Sequence, residues 1–213
     1  MTIEKAVPVL YLDLDGTVRQ GKDDALGRFV NGPEDVVVFP EAVEMMRRWK
    51  AGGGRIIAVS NQGGVALGIV SAAAVTDAMV ETHRQTEGLF DKICYCVHHP
   101  NADHPEMARC WCRKPSPGLI IEGALDLAAH NNEFYPPYMG LMVGDRPEDA
   151  ECARLAGLDF QWAADWRAQA ATMTTEGGDE MTEPESAEVE ATEAEAVEDA
   201  PETDAADEAS ADE

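Results

Sequence analysis

The chain has 213 residues, with 41 acidic against 16 basic side chains and a formal net charge of −25. That charge is divided: residues 176–213 hold 17 acids and no base, while the preceding 175 hold every base and net only −8. No run approaches the roughly 18 consecutive apolar residues of a membrane span, and the opening Met-Thr-Ile-Glu-Lys lacks a charged-then-apolar leader pattern, so a cytoplasmic protein with no membrane partner is expected.

In chain order, residues 7–12 form a short apolar run that reads as a strand buried on both faces and stops at Asp13-Leu-Asp-Gly-Thr17. Pro40 opens a helical pattern with Val43, Met46 and Trp49 on one face, and Gly52-Gly-Gly54 closes it. Residues 55–59 read as a second buried strand, ending in Ser60-Asn-Gln-Gly-Gly64, after which Ser71 caps a helix to about residue 87. A third strand falls near 93–95, before a loop rich in Cys and His; a helix with Ile120, Ala124, Leu127 and Ala128 inward follows Ser116-Pro117. Residues 139–143 make a further strand ending in Gly144-Asp145, Pro147 starts a helix that closes near Gly157, and 158–162 read as a last strand. Strands alternating with helices predict an α/β, Rossmann-like parallel sheet covered on both faces. Ligands in such sheets bind beyond the carboxyl ends of the strands, where the polar clusters at 13–17, 60–64 and 144–149 fall.

The domain is expected to span 1–168, with no separate cap domain: between Thr17 and Pro40 there is room for a flap only. Residues 169–213 are Glu, Asp, Ala and Thr with almost no large apolar side chain, too little to offset the entropy of ordering. They read as a disordered, solvating tail, with a protein partner of that tail as the sharper alternative. A monomer is expected.

Asp13 and Asp15, two apart in extended chain, point to one small volume, and Asp145 from another strand end joins them. Three hard carboxylates suit Mg²⁺ together with water and a substrate phosphate; Ser60 with the amides after it, and Lys114, could hold the phosphate oxygens. Five cysteines, at 94, 96, 110, 112 and 152, argue against a disulfide framework in a chain without a secretory leader. Four of them lie within 19 residues, which favours metal chemistry.

Asp13-Leu-Asp-Gly-Thr, Ser60-Asn-Gln, Arg113-Lys114-Pro and Gly144-Asp145-xxx-Asp149, in that order, resemble the four motifs of the haloacid dehalogenase superfamily of phosphatases. Cys96-Val-His-His-Pro followed by Cys110-Trp-Cys-Arg-Lys-Pro resembles the zinc loop, about 94–114, of the heptose-1,7-bisphosphate and histidinol-phosphate phosphatase subgroup. Cys-x-His and Cys-x-Cys separated by eleven residues make a Cys₃His set fit for a structural zinc. The expected ligands are Cys96, His98, Cys110 and Cys112, with His99 and His104 as alternatives and Cys94 assigned to the preceding strand.

The resemblance implies a nucleophile at Asp13, which would form an aspartyl-phosphate, and an acid/base at Asp15. It implies Mg²⁺ held by Asp13, the Asp15 backbone carbonyl and Asp145, with Asp149 supporting. Ser60 and Lys114 would stabilise the transferred phosphoryl group, and Asn61, Gln62 and Arg113 would contact substrate. The substrate class is then a small phosphorylated sugar or metabolite. Leu14 stands where the heptose and histidinol-phosphate enzymes typically carry Arg and is more like polynucleotide 3′-phosphatases, so that activity is the alternative within enzymes. The globular part's negative charge argues against a nucleic-acid partner. A catalytically silent phosphate- or partner-binding module is the alternative outside enzymes.

Overall fold

Val9–Leu12 and Arg55–Asn61 carry aliphatic side chains on both faces, which only a strand covered on both sides can bury. In the computed structural model, which describes residues 5–22 and 29–172, these are β1 and β4, paired in parallel at the middle of a sheet. The further strands are β5 (Lys92–Cys96), β6 (Gly140–Gly144) and β7 (Asp159–Trp162). The order is β5-β4-β1-β6-β7, with every neighbouring pair parallel. β1 therefore sits centrally, and its carboxyl end lies between those of β4 and β6.

The period-two alternation of the strands divides the core. Leu10, Leu12, Ile56 and Ala58 face one layer with Met46 of α1 (Pro40–Ala51), Met79 of α2 (Ala72–Gln85) and Trp166 of α6 (Ala163–Thr172). Val9, Tyr11, Ile57 and Val59 face the other, with Leu119, Ile120 and Leu127 of α4 (Gly118–Asn131) and Cys152 and Ala153 of α5 (Pro147–Ala156). Expected helix signals hold: Pro40 and Pro147 stand in the first turns of α1 and α5, and Ser71 Oγ accepts from the Ala74 amide at 3.1 Å.

Three elements go beyond the sequence expectations. Residues read as a flap contain an antiparallel ribbon of β2 (Arg19–Gly21) and β3 (Val36–Val38), tied to α2 through the Gln85 amide and the backbone of Val36 and Val38. The zinc-loop segment contains a single turn, α3 (Pro105–Ala108). α6 continues the chain after β7, so residues 169–172 are helical and the rest of the expected tail lies outside the described residues. β7 is an edge strand, and Trp162 is 46 % exposed against an edge-on contact with Phe160, whereas Trp166 is buried. Among the described residues no helix is long and apolar enough to cross a membrane.

Candidate active site

The chain leaves β1 at Leu12, and the Asp13 amide still donates to Val143 O of β6 at 3.0 Å, so Asp13 is held in the sheet's own register. Leu14 points the other way, into the core, with no exposed surface. Gly16 then takes a positive φ of 94°, which favours glycine, and the loop closes with the Gly16 amide donating to Arg19 O at 2.8 Å. Alternation thus sends Asp13 and Asp15 to the carboxyl edge and Leu14 inward. The side chain between the two aspartates is a packing group that does not touch the cleft.

Lys114 arrives from the loop between β5 and α4 and is buried. Its Nζ donates to Asp13 Oδ1 at 2.5 Å and lies 2.7 Å from Asp149 Oδ1. Burial works against the ammonium, but Asp13 and Asp149 outweigh it and hold Lys114 above the usual lysine value. Asn61 fixes this lysine from behind: its Nδ2 donates to Lys114 O and its Oδ1 accepts from the Lys114 amide, both at 3.0 Å. Expected to contact substrate, Asn61 thus has both ends of its amide on the backbone of Lys114, although it still lines the cleft. Asp149 Oδ2 accepts from the amides of Asp145 and Arg146 at 3.1 Å, at the start of α5. Gly144 permits this approach, since a Cβ there would stand 2.3 Å from Asp149 Cβ.

Asp15 is clamped on both oxygens. Arg19 Nε donates to Oδ1 at 2.8 Å, and Gln62 Nε2 donates to Oδ2 at 2.7 Å and to Ser60 Oγ at 2.9 Å. Asp15 lines both a small recess shared with Asp13, Ser60 and Lys114 and an adjoining cavity of about 510 Å³. The cavity is lined by Arg113 and Arg146 together with the apolar Phe29, Leu67, Ile69 and Val70. Arg146 stacks on Phe29, 5.1 Å from the ring centroid. Arg113 Nη1 donates to His98 O at 3.0 Å, which links the cavity to the Cys/His loop.

Asp13, Asp145 and Asp149 bring carboxylate oxygens within 4.8 Å of one another. Burial pushes the Asp13 carboxyl up, Lys114 pulls it down and Asp149 pushes it up again; the net position is well above the usual carboxylate range. Against these three carboxylates stand Lys114 and, 3.9 Å from Asp145 Oδ1, Arg146 Nε. The remaining negative charge and the hard oxygen donors suit a divalent cation, so the donor set fits Mg²⁺.

The second cluster is Cys96, His98, Cys110 and Cys112. Cys96 Sγ lies 3.6 Å from Cys110 Sγ, 3.3 Å from Cys112 Sγ and 3.5 Å from His98 Nδ1, and Cys112 Sγ lies 3.5 Å from the same nitrogen. Ligand atoms around tetrahedral zinc stand roughly 3.5–3.8 Å apart, given its Zn–S and Zn–N bond lengths, so the set fits that ion. The alternatives stand outside it: His99 accepts from the Asn101 amide and faces the large cavity, His104 is exposed, and Cys94 lies in β5 against Gly123.

Sequence reasoning missed Arg19, Arg146 and Arg167. Arg167 of α6 stacks on Phe39 and donates to Gly16 O at 2.9 Å and Thr17 O at 2.7 Å, bracing the turn after Asp15. An arginine in a stretch read as loop, or near the expected domain end, has no periodic or motif signal to mark it.

A parallel sheet whose central strand ends in paired aspartates, faced by a buried lysine and a further acidic pair, defines a phosphoric monoester hydrolase of the haloacid dehalogenase type. No family model matches the chain. It is 34 % identical over 158 residues to the D-glycero-D-manno-heptose-1,7-bisphosphate 7-phosphatase of Chlorobaculum tepidum, covering 72 % of this chain and 77 % of that one. The corresponding enzyme of Escherichia coli K12 is 30 % identical over 162 residues, covering 72 % and 77 %. Two solved structures share the fold: a HAD-like phosphatase from Mesorhizobium loti (TM-score 0.63, 23 % identity, 82 % and 90 % covered) and D,D-heptose 1,7-bisphosphate phosphatase from B. bronchiseptica with magnesium and phosphate (0.60, 24 %, 80 % and 100 %). The chain belongs to the haloacid dehalogenase family of phosphatases that includes the D-glycero-D-manno-heptose-1,7-bisphosphate 7-phosphatases.

Proposed function

We propose that this phosphatase is Mg²⁺-dependent, carries a structural zinc, and hydrolyses a phosphomonoester of a small sugar or related metabolite through an aspartyl-phosphate on Asp13. One observation carries the reading: Asp13 and Asp15 share a recess with Ser60 and Lys114, and Asp15 alone of the two aspartates also lines the larger cavity. A phosphoester spanning the two spaces has its phosphorus beside Asp13 and its bridging oxygen beside Asp15.

In the first step an Asp13 oxygen attacks phosphorus, the bond from phosphorus to the leaving oxygen breaks, and Asp15 gives its proton to that oxygen. In the second, Asp15 takes a proton from water, whose oxygen attacks phosphorus and releases phosphate, restoring Asp13. Lys114 and Ser60 hold phosphoryl oxygens, and Asn61 and Asp149 keep Lys114 in place. Asp13, Asp145 and the Asp15 backbone carbonyl, with Asp149 in support, would hold Mg²⁺, which would supply charge neutralisation between the carboxylates and the phosphate dianion. Zinc at Cys96, His98, Cys110 and Cys112 would pin the loop that carries Arg113 and Lys114.

Arg113 has no carboxylate partner among the described residues and lines the cavity, which favours a leaving group bearing a second anionic group. The named relatives are phosphatases of a heptose bisphosphate, a substrate of that kind. Leu14, the feature that favoured a 3′-phosphatase, is a core residue and bears on packing alone. The cytoplasm, where thiols stay reduced, suits the free cysteines of the loop.

The test is a phosphoester panel containing a heptose bisphosphate, histidinol phosphate and a 3′-phosphorylated oligonucleotide, with and without Mg²⁺. Mg²⁺-dependent turnover of the sugar ester, abolished in Asp13→Asn, is expected. No turnover of any ester by folded, zinc-loaded protein would reject the reading, and preference for the oligonucleotide would replace it.

A further inference from the structure

We infer that Arg19 is the positioning residue for Asp15: it fixes Oδ1 and so keeps Oδ2 at the mouth of the cavity, where the proton moves. The inference rests on the phosphatase reading and deepens it. Arg19 begins β2 and has no exposed surface. Its Nε donates to Asp15 Oδ1 at 2.8 Å, while Nη1 donates to Ala78 O at 3.1 Å and Thr82 Oγ1 at 2.6 Å of α2. The backbone is tied as well: the Arg19 amide donates to Leu14 O at 3.0 Å, and Arg19 O accepts from the Gly16 amide. The guanidinium is therefore held at both ends, by a helix on one side and by the catalytic turn on the other.

Arginine remains charged under all ordinary conditions, and among the described residues Asp15 is the one carboxylate within ion-pair distance of Arg19. Replacing both partners of a buried ion pair by apolar residues of similar volume is often neutral or stabilising, whereas removing one partner leaves the other charge uncompensated. Stability alone thus gives no reason for the Arg19–Asp15 pair as a whole. Geometry does: a carboxylate free to rotate about χ2 offers either oxygen, whereas Arg19 holds one and leaves the other to Gln62 Nε2, and Gln62 lines the cavity together with Asp15. The same oxygen then gives the proton in the first step and takes it in the second. Gln62, the second clamp, is neutral and can release Oδ2 without leaving an unpaired charge.

The test uses the full-length, metal-loaded enzyme with Arg19→Met, which keeps an unbranched side chain without the cation. Turnover of an alkyl phosphate, whose leaving oxygen needs a proton, is expected to fall about 100-fold, with KM changed less than about twofold. With p-nitrophenyl phosphate, whose leaving group departs without a proton, the initial burst of nitrophenol should survive while the later steady rate falls, because dephosphorylation still needs Asp15 as base. Thr82→Val, which removes the shorter of the two far contacts and leaves Ala78 O, should give the same pattern at about tenfold, and it carries the test if Arg19→Met does not fold. Wild-type kinetics in the folded variant, or a burst that disappears in step with turnover, would overturn the inference. Absence of turnover in the wild type would count against the phosphatase reading itself, and wild-type turnover matched by the variant against Arg19 alone.

Discussion

Lys114 Nζ stands 2.5 Å from Asp13 Oδ1, joining the loop after β5 to the end of β1. The same ammonium reaches Asp149, so one buried cation offsets part of the charge of two buried carboxylates. Lys114→Met removes that offset. Turnover is expected to fall about 10²–10³-fold, as for loss of one preorganised contact to developing charge. Without added metal the folded state should lose roughly 3–5 kcal/mol, because a buried pair broken on one side leaves charge uncompensated. Steady-state rates and denaturant unfolding check both; an active, equally stable variant would contradict the role.

Zinc content separates the cluster from its neighbours. Metal analysis should give about one zinc per chain, reduced in Cys110→Ser and unchanged in Cys94→Ser, since Cys94 lies outside the four-atom set. Chelation should lower the melting temperature and slow turnover together, because the loop also carries Arg113 and Lys114. Equal zinc in both variants would exclude the assignment.

The sheet and the catalytic edge are legible in the sequence for one physical reason. Buried parallel strands are continuous apolar runs, and the polar residue that ends each one is conspicuous, so the sequence alone puts Asp13, Ser60 and Asp145 at strand ends. The Cys/His spacing is legible because four side chains of ligand type on a short loop have few other uses. The roles of Asn61 and Arg19 are not, since both act through partners far away in sequence: Lys114 for Asn61, and Ala78 and Thr82 for Arg19. The β2–β3 ribbon is also hidden. Its strands are three residues each, too short for alternation to register.

Acid sensitivity should have a component at the opposite end of the sheet. Arg55 donates to both oxygens of Glu133, at 2.7 and 2.9 Å, and with Tyr135 holds that carboxyl at about 2. A lowered folded-state pKa gives stability that is present above the ordinary glutamate value and lost as pH falls from about 4.5 towards 2. The pair is partly solvated, so its contribution at neutral pH is about 1 kcal/mol. Glu133→Gln should be less stable than the wild type by that amount at pH 7, with the gap closing by pH 2 in denaturant titrations. A gap independent of pH would show that the ion pair is not its source.

α6 and the segment beyond it should behave differently on truncation. Ending the chain after Thr172 is expected to leave the rate within about twofold, since α6 is intact. Ending it after Trp162 removes Trp166 from the core and Arg167 from the carbonyls of Gly16 and Thr17. Loss of a buried tryptophan alone costs roughly 3–5 kcal/mol, so this shorter chain should unfold at lower denaturant and lose activity. Strong loss of activity in the chain ending at Thr172 would instead assign the acidic segment a part in catalysis.

The most direct measurement is the location of the phosphate during turnover. Acid quench of the Mg²⁺-loaded enzyme with a phosphoester, followed by peptide mass analysis, should find one phosphoryl group on Asp13 and none in Asp13→Asn. Turnover with no covalent phosphate on Asp13, or with the label on another residue, would contradict the assignment of the nucleophile.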